Sequence, residues 1–235
     1  MKTKNDWCFR FFNSPDYLTI YKDMTGPART QTELQFCKSV LRWKRKDRIL
    51  DAPCGAGRHS LQAALRGYNI TGLDFSTYLL HTAQEKSMRL PNQSPRPLWV
   101  RGLLQNLPFA THTFDSVICM SSSFGYGDTE EENLRVMNEF ARVLKPGGRV
   151  LIDLMNRHFI ISHLHPVFTS LQQGLYVREE RMLTDNEHRL HNRISVEDQQ
   201  GNKRTYLYNP WLYNGWELAL LANQAGLQAE NIYGN

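Results

Sequence analysis

The strongest constraint on the fold lies at residues 48–60, which read R-I-L-D-A-P-C-G-A-G-R-H-S. Ile49 and Leu50 form a short apolar strand that ends on Asp51; Gly55 and Gly57 follow, and a helix is predicted from Arg58. Glycine lets a backbone pass within contact distance of a ligand, because no Cβ stands in the way. The N-terminus of the following helix carries partial positive charge. The turn is therefore built to hold a ligand.

Strand and helix alternate from this point. Strands are predicted near 48–51, 69–74, 97–101, 115–120 and 149–154, and helices near 58–67, 76–88 and 129–144. That alternation means an α/β fold, a mostly parallel sheet with helices on both faces. The apolar run 117–120 suits a strand buried on both sides. Lys145-Pro146-Gly147-Gly148 is expected to end its helix sharply. Before the sheet, residues 11–24 read as a helix carrying Phe11, Tyr17 and Tyr21, and residues 28–43 as a second one with Leu34, Val40 and Leu41 on one face. Residues 174–212 break the rhythm. They read as an antiparallel insertion of strands at 176–183, 189–196 and 204–207. A helix over 216–225, stopped by Gly226, and a strand over 227–233 follow.

Two ligand classes use such a glycine turn. A dinucleotide wants G-x-G-x-x-G to seat its pyrophosphate, and here Ser60 takes the third glycine position. Asp51, four residues before Gly55, would repel a pyrophosphate. It suits a ligand with positive charge and no phosphate, such as S-adenosylmethionine. Asp74 ends the next apolar run, about 20 residues after the turn, where an acid accepts hydrogen bonds from ribose hydroxyls. That feature serves both classes.

The segment resembles motif I of class I S-adenosylmethionine-dependent methyltransferases, in the variant D-x-x-C-G-x-G-R-H-S. The resemblance continues through Asp74-Phe75-Ser76, Leu107-Pro108-Phe109, Phe114-Asp115-Ser116-Val117-Ile118, Ser122-Ser123-Phe124-Gly125-Tyr126 and Leu144-Lys145-Pro146-Gly147-Gly148-Arg149, in the family's order. It implies a Rossmann-like domain over 1–235. Residues 1–45 would form a helical cap, 46–156 the cofactor-binding core, 172–212 an antiparallel lid, and 213–235 the last helix and strand. The family's seventh strand, antiparallel to the sixth, has no counterpart before Asn235. The expectation is an open sheet edge that lowers stability or pairs with a second copy.

The resemblance also implies roles. Gly55 and Gly57 would pass under the methionine and ribose of the cofactor, with Ala52, Arg58 and Ser76 beside them. Asp51 would orient the methionyl end, Asp74 would hold the ribose, and Phe75 would stack on adenine. Leu103 stands where an acid normally meets the adenine amine, leaving that contact to Gln105 or to a backbone carbonyl near Leu104. Met120 and Ser121 end the fourth strand at the ligand edge of the sheet. Tyr17, Tyr21 and Arg29 would close over the methionyl carboxylate. Methyl transfer needs positioning first, and a base only where the nucleophile must lose a proton. Tyr126, His158 and Glu180 are the catalytic candidates, with Glu179, His163 and His165 behind them. Asp51-Ala52-Pro53-Cys54 is similar to the catalytic-cysteine segment of RNA cytosine methyltransferases. It follows the first strand rather than the fourth, so Cys54 is read as lining the loop. Asn209-Pro210-Trp211 lacks the second proline of an amino-methylating motif and is read as a turn.

Composition narrows the setting. A chain of 235 residues, 41% hydrophobic, suffices for one α/β domain. The four cysteines (Cys8, Cys37, Cys54 and Cys119) form no pair or cluster at metal spacing, which points to a reducing compartment and no metal. Lys2 and Lys4 precede no long apolar stretch, and no run approaches membrane-span length; a cytoplasmic protein is expected. The net charge of +5 permits nucleic-acid binding, yet the one dense basic cluster, residues 42–48, sits at a helix end where cations favour the dipole. The expected activity is transfer of a methyl group from S-adenosylmethionine to O or N of a small-molecule acceptor. The alternatives are a tRNA or rRNA methyltransferase, a silent cofactor-binding subunit needing a partner, and a dinucleotide oxidoreductase.

Overall fold

The computed structural model describes residues 6–234, with side chains from residue 9. Lys2, Lys4, the Cys8 side chain and Asn235 lie outside the described residues. The N-terminal region is α1 (Asp6–Phe12), α2 (Pro15–Ile20), a 3₁₀ turn (Asp23–Thr25) and α3 (Pro27–Leu41). The single helix expected over 11–24 is thus divided. Ser14 takes an extended conformation and accepts from the Asp16 amide, capping α2, while Pro15 occupies its first turn. A serine cap followed by proline starts a new helix rather than continuing the old one.

The core follows as β1 (Arg48–Asp51), α4 (Arg58–Leu65), β2 (Asn69–Asp74), α5 (Thr77–Ser87), β3 (Leu98–Arg101), β4 (Phe114–Cys119), α6 (Glu130–Val143) and β5 (Leu144–Ile152). The sheet order is β3-β2-β1-β4-β5, and every pairing is parallel. Successive strand residues point to opposite faces, so the sheet feeds two cores. Leu50 and Val117 pack with Met137 and Phe140 of α6, while Ile49 and Ile118 pack with Leu34 and Cys37 of α3 and Ala63 of α4. The strand order reverses between β1 and β4, which opens a crevice at their C-terminal ends. The Lys145–Gly148 turn does not separate helix from strand as expected. Leu144 already pairs with Phe114, and pairing resumes at Arg149 with Ser116, so the Pro-Gly-Gly stretch loops out within β5. Gly147 supplies the left-handed residue this needs, at φ 75°.

The insertion is larger than its sequence signal. After α7 (Arg157–Ser162) come four strands, β6 (Val167–Gln172), β7 (Leu175–Thr184), β8 (Arg189–Glu197) and β9 (Lys203–Tyr208), antiparallel in the order β6-β7-β8-β9. The lid sheet therefore begins at Val167, not at 172. β6 escaped detection because most of it is exposed and no buried residue alternates along it. The inner face of the sheet rests on the N-terminal helices: Val177, Ile194, Val196 and Tyr206 bury with Phe11 and Ile20. Asp16 accepts from Arg204 Nε (2.7 Å) and from the Tyr206 hydroxyl (2.7 Å), which joins cap and lid. Trp211 Nε1 (2.8 Å) and Arg189 Nη2 (3.0 Å) both donate to the Gly127 carbonyl, tying the lid to the loop after β4.

The chain closes with α8 (Gly215–Gln224), started by an Asn214–Glu217 capping box. The strand expected over 227–233 is not one. This segment makes no ladder; Glu230 pairs with Arg149 (3.2 Å), and the Tyr233 ring meets Phe36 edge-on. Among the described residues β5 is consequently an outer strand of the parallel sheet. No helix is long and apolar enough to cross a membrane, among the described residues.

Candidate functional site

The glycine turn sits at the mouth of the crevice. The Ala52 amide donates to Ile118 and the Cys54 amide to Leu73, so the turn is wedged between β4 and β2. Gly55 and Gly57 both hold left-handed backbone, at φ 55° and 75°. A Cβ at Gly57 would meet the Trp99 ring at 2.5 Å, whereas one at Gly55 would point into open space. Gly57 is demanded by packing, and Gly55 leaves room beside the backbone.

Two buried carboxylates flank that room. Asp51 is fully buried; its Oδ2 accepts from Ser60 Oγ (2.6 Å), and its Oδ1 is buried without a protein partner. Burial raises its pKa, against the pull of His59, Ser60 and Arg58. Asp74 accepts from the Gly55 amide on Oδ2 and from the Ser76 amide on Oδ1, both at 2.8 Å. Burial dominates here too and pushes its pKa up to about 6. A buried acceptor left without a donor costs free energy unless a ligand supplies one.

A second network crosses the crevice. Glu33 of α3 accepts from Arg29 Nε (2.8 Å), from His59 Nε2 (2.9 Å) and, at very short range, from Arg58 Nη1. Burial works to raise the Glu33 pKa, but the hydrogen bonds from His59, Arg58 and Arg29 outweigh it and hold the carboxyl far below its usual range. Arg58 also reaches Thr30 (3.0 Å) and Ser121 Oγ (2.6 Å). The Ser121 amide donates to Asp153 (2.8 Å). Glu33 and Asp153 carry no sequence signal that would have singled them out.

Aromatic rings roof the crevice. Tyr17 lies 4.9 Å from Phe12 and 5.4 Å from Tyr21, between ring centres. Its hydroxyl is pushed to a high pKa by burial and then by the nearby Asp74 charge. Phe75 stacks edge-on against Phe9 at 4.6 Å. Tyr126 meets Phe12 and Tyr208, each at 5.7 Å. The structure thus gathers Asp51, Ala52, Gly55, Gly57, Asp74 and the cap tyrosines around one crevice.

Other candidates are engaged elsewhere. Arg29 is spent on Glu33, with a half-exposed side chain. Ser76 caps α5 and donates to the Phe12 carbonyl (2.8 Å). Leu103 is exposed in a tight turn closed against Asn106, Gln105 is half-buried beside it, and Leu104 packs on the core. Met120 packs beneath α3 against Cys37. His158 is exposed on α7, and His163, stacked on Phe159, and His165 are exposed just after it. Glu180 lies on the outer face of the lid, paired with Arg178 (3.0 Å). Its neighbour Glu179 is buried on the inner face, next to Asn192. Asn192 was legible in principle: it occupies the apolar register of β8, between Leu190 and Ile194.

Residues 49–148 match the family model described as a methyltransferase domain. The putative methyltransferase YqeM of Bacillus subtilis is 31% identical over 157 residues, covering 67% of this chain and 61% of that protein. A 2-phytyl-1,4-naphtoquinone methyltransferase of Nostoc punctiforme is 38% identical over 116 residues, 46% of each. This chain therefore spans between about half and three fifths of the length of these curated relatives. Among solved structures, the CcbJ methyltransferase from Streptomyces caelestis superposes with a TM-score of 0.76 at 18% identity, over 93% of this chain and 87% of that one, a likeness of fold. With its parallel sheet, glycine turn and paired acids, the chain belongs to the class I S-adenosylmethionine-dependent methyltransferase family.

Proposed function

We propose that this chain transfers a methyl group from S-adenosylmethionine to O or N of a small-molecule acceptor. The observation that carries the reading is Asp51 Oδ1, a fully buried acceptor without a protein donor, placed across the glycine turn from Asp74. A ligand with an ammonium group and ribose hydroxyls supplies the missing donors, and the open face of Gly55 leaves it room. When bound, S-adenosylmethionine supplies a methyl carbon already activated by its sulfonium. The chain's part is to position. Asp51 would hold the methionyl end and Asp74 the ribose, with the Tyr17 and Phe75 rings covering them. The adenine amine is left to Gln105 or a backbone carbonyl, since Leu103 offers no acceptor. The acceptor would enter beneath the lid, past Tyr126. The small-molecule reading draws on the naphtoquinone relative and on the lid sheet closed over the cap. A homodimer through the open edge of β5 belongs to the same reading.

Calorimetric titration with S-adenosylhomocysteine, with NAD as control, tests the proposal. Saturable one-to-one binding of the first alone is expected, and Asp51→Asn should weaken it at least about tenfold, the worth of one charge-assisted hydrogen bond. NAD binding, or no binding of S-adenosylhomocysteine, would sink it.

A further inference from the structure

The inner face of the lid carries three polar side chains where its pattern calls for apolar ones. Glu179 and Arg181 follow Val177 on β7, and Asn192 stands opposite Arg181 in register, with Tyr208 beyond it on β9. Glu179 and Asn192 are buried, at 5% and 2% exposure. Arg181 Nη2 (2.6 Å), Arg181 Nε (3.2 Å) and Asn192 Nδ2 (2.8 Å) all donate to one oxygen, Glu179 Oε2. No donor among the described residues reaches Oε1. Asn192 Oδ1 is itself buried with no partner. Two acceptors on adjacent strands, one of them fully buried, therefore have no donor among the described residues.

Their surroundings are aromatic. Tyr21 lies close enough to feel the Glu179 charge and Tyr208, and it touches Tyr17 at 5.4 Å between ring centres. Tyr208 meets Tyr126. The same row of rings leads through Tyr17 towards Asp74 in the cofactor crevice. The two acceptors thus stand at one end of a row of rings whose other end lies near Asp74.

We propose that Glu179 and Asn192 recognise an amino group on the methyl acceptor, so that the substrate class is a small amine. This rests on the methyltransferase reading above. An amine or ammonium brings two or three N–H donors, enough for Glu179 Oε1 and Asn192 Oδ1 together, whereas a hydroxyl brings one. The π faces of the tyrosines favour a cation further. Arg181 and Asn192 hold one oxygen of the carboxylate and leave its second oxygen open to a ligand donor.

The test uses chemical twins differing only in NH2 for OH: benzylamine against benzyl alcohol, and glucosamine against glucose. Their dissociation constants are measured by NMR titration of the full chain saturated with S-adenosylhomocysteine. Each amine is expected to bind about tenfold more tightly than its twin, the factor one charge-assisted hydrogen bond carries. In Glu179→Gln the ratio should fall to about one, and in Asn192→Ala it should fall several-fold. S-adenosylhomocysteine affinity should stay unchanged in both, which also reports that they fold. Equal affinity of the twins, including no binding of either, overturns the inference, as does an unchanged ratio in Glu179→Gln. Failure of the unmutated chain to bind S-adenosylhomocysteine would instead count against the methyltransferase reading itself.

Discussion

Gly55 and Gly57 share one backbone conformation but do different work, and substitution separates them. Alanine at 57 meets both a left-handed φ and the Trp99 ring, so Gly57→Ala should cost about 2–4 kcal/mol in urea unfolding. Gly55→Ala meets only the φ penalty, about 1 kcal/mol, yet places a methyl in the ligand's space. It should lose far more S-adenosylhomocysteine affinity than stability; equal losses in both variants would contradict the cradle. Asp74 supplies a pH signature. Its folded pKa is raised to about 6 from 3.8, so the ligand-free protein keeps the proton where the unfolded chain has lost it. Its contribution to stability is therefore present at low pH and falls as pH rises from about 4 to about 6. Ribose hydroxyls donate to the ionised form, so affinity for S-adenosylhomocysteine should run the opposite way. It should weaken by up to about tenfold per pH unit below 6 and level off above. A flat profile between pH 5 and 7 would remove Asp74 from the site. Both acids and both glycines were legible in the sequence, because strand ends and left-handed turns are set locally. Glu33 and Asp153 were not: their roles arise from tertiary neighbours that no spacing reveals.

At the level of elements, legibility followed burial pattern. β1, β2 and β4 are buried almost throughout and show as short apolar stretches ending at the sheet's ligand edge, and β7–β9 alternate because one face rests on the cap. β6 and α7 bury too little for either period to show. The split of the first helix turned on one capped proline. What the pattern did not disclose is that α1, α2 and the lid form one unit around Asp16, which accepts from Arg204 and Tyr206 while sitting 5% exposed. Asp16→Ala removes this shared acceptor, leaving Arg204 to Asp198 and Tyr206 to Ser14, and should cost about 1–3 kcal/mol. Amide exchange should accelerate in β9 and α1 together and leave β1 and β4 unchanged. Acceleration confined to one of the two segments would show that cap and lid open independently.

For the molecule as a whole, the open side of β5 meets a net charge of +5. Segment 227–233 runs near this strand through Arg149–Glu230 but offers no ladder, so backbone groups along β5 stay available for pairing. Two copies meeting there would bring like charge together, and that repulsion is screened over about 8 Å at physiological ionic strength. Association through β5 should therefore tighten as salt rises. Binding to a nucleic acid would weaken instead, because it draws on counterion release from phosphates. Light scattering against concentration at low and high salt separates the two. Dimerisation that strengthens with salt fits pairing at the edge. A monomer at every concentration and salt, with high thermal stability, would mean that the 227–233 segment suffices to protect the edge, and that hydrogen bonds to water satisfy β5.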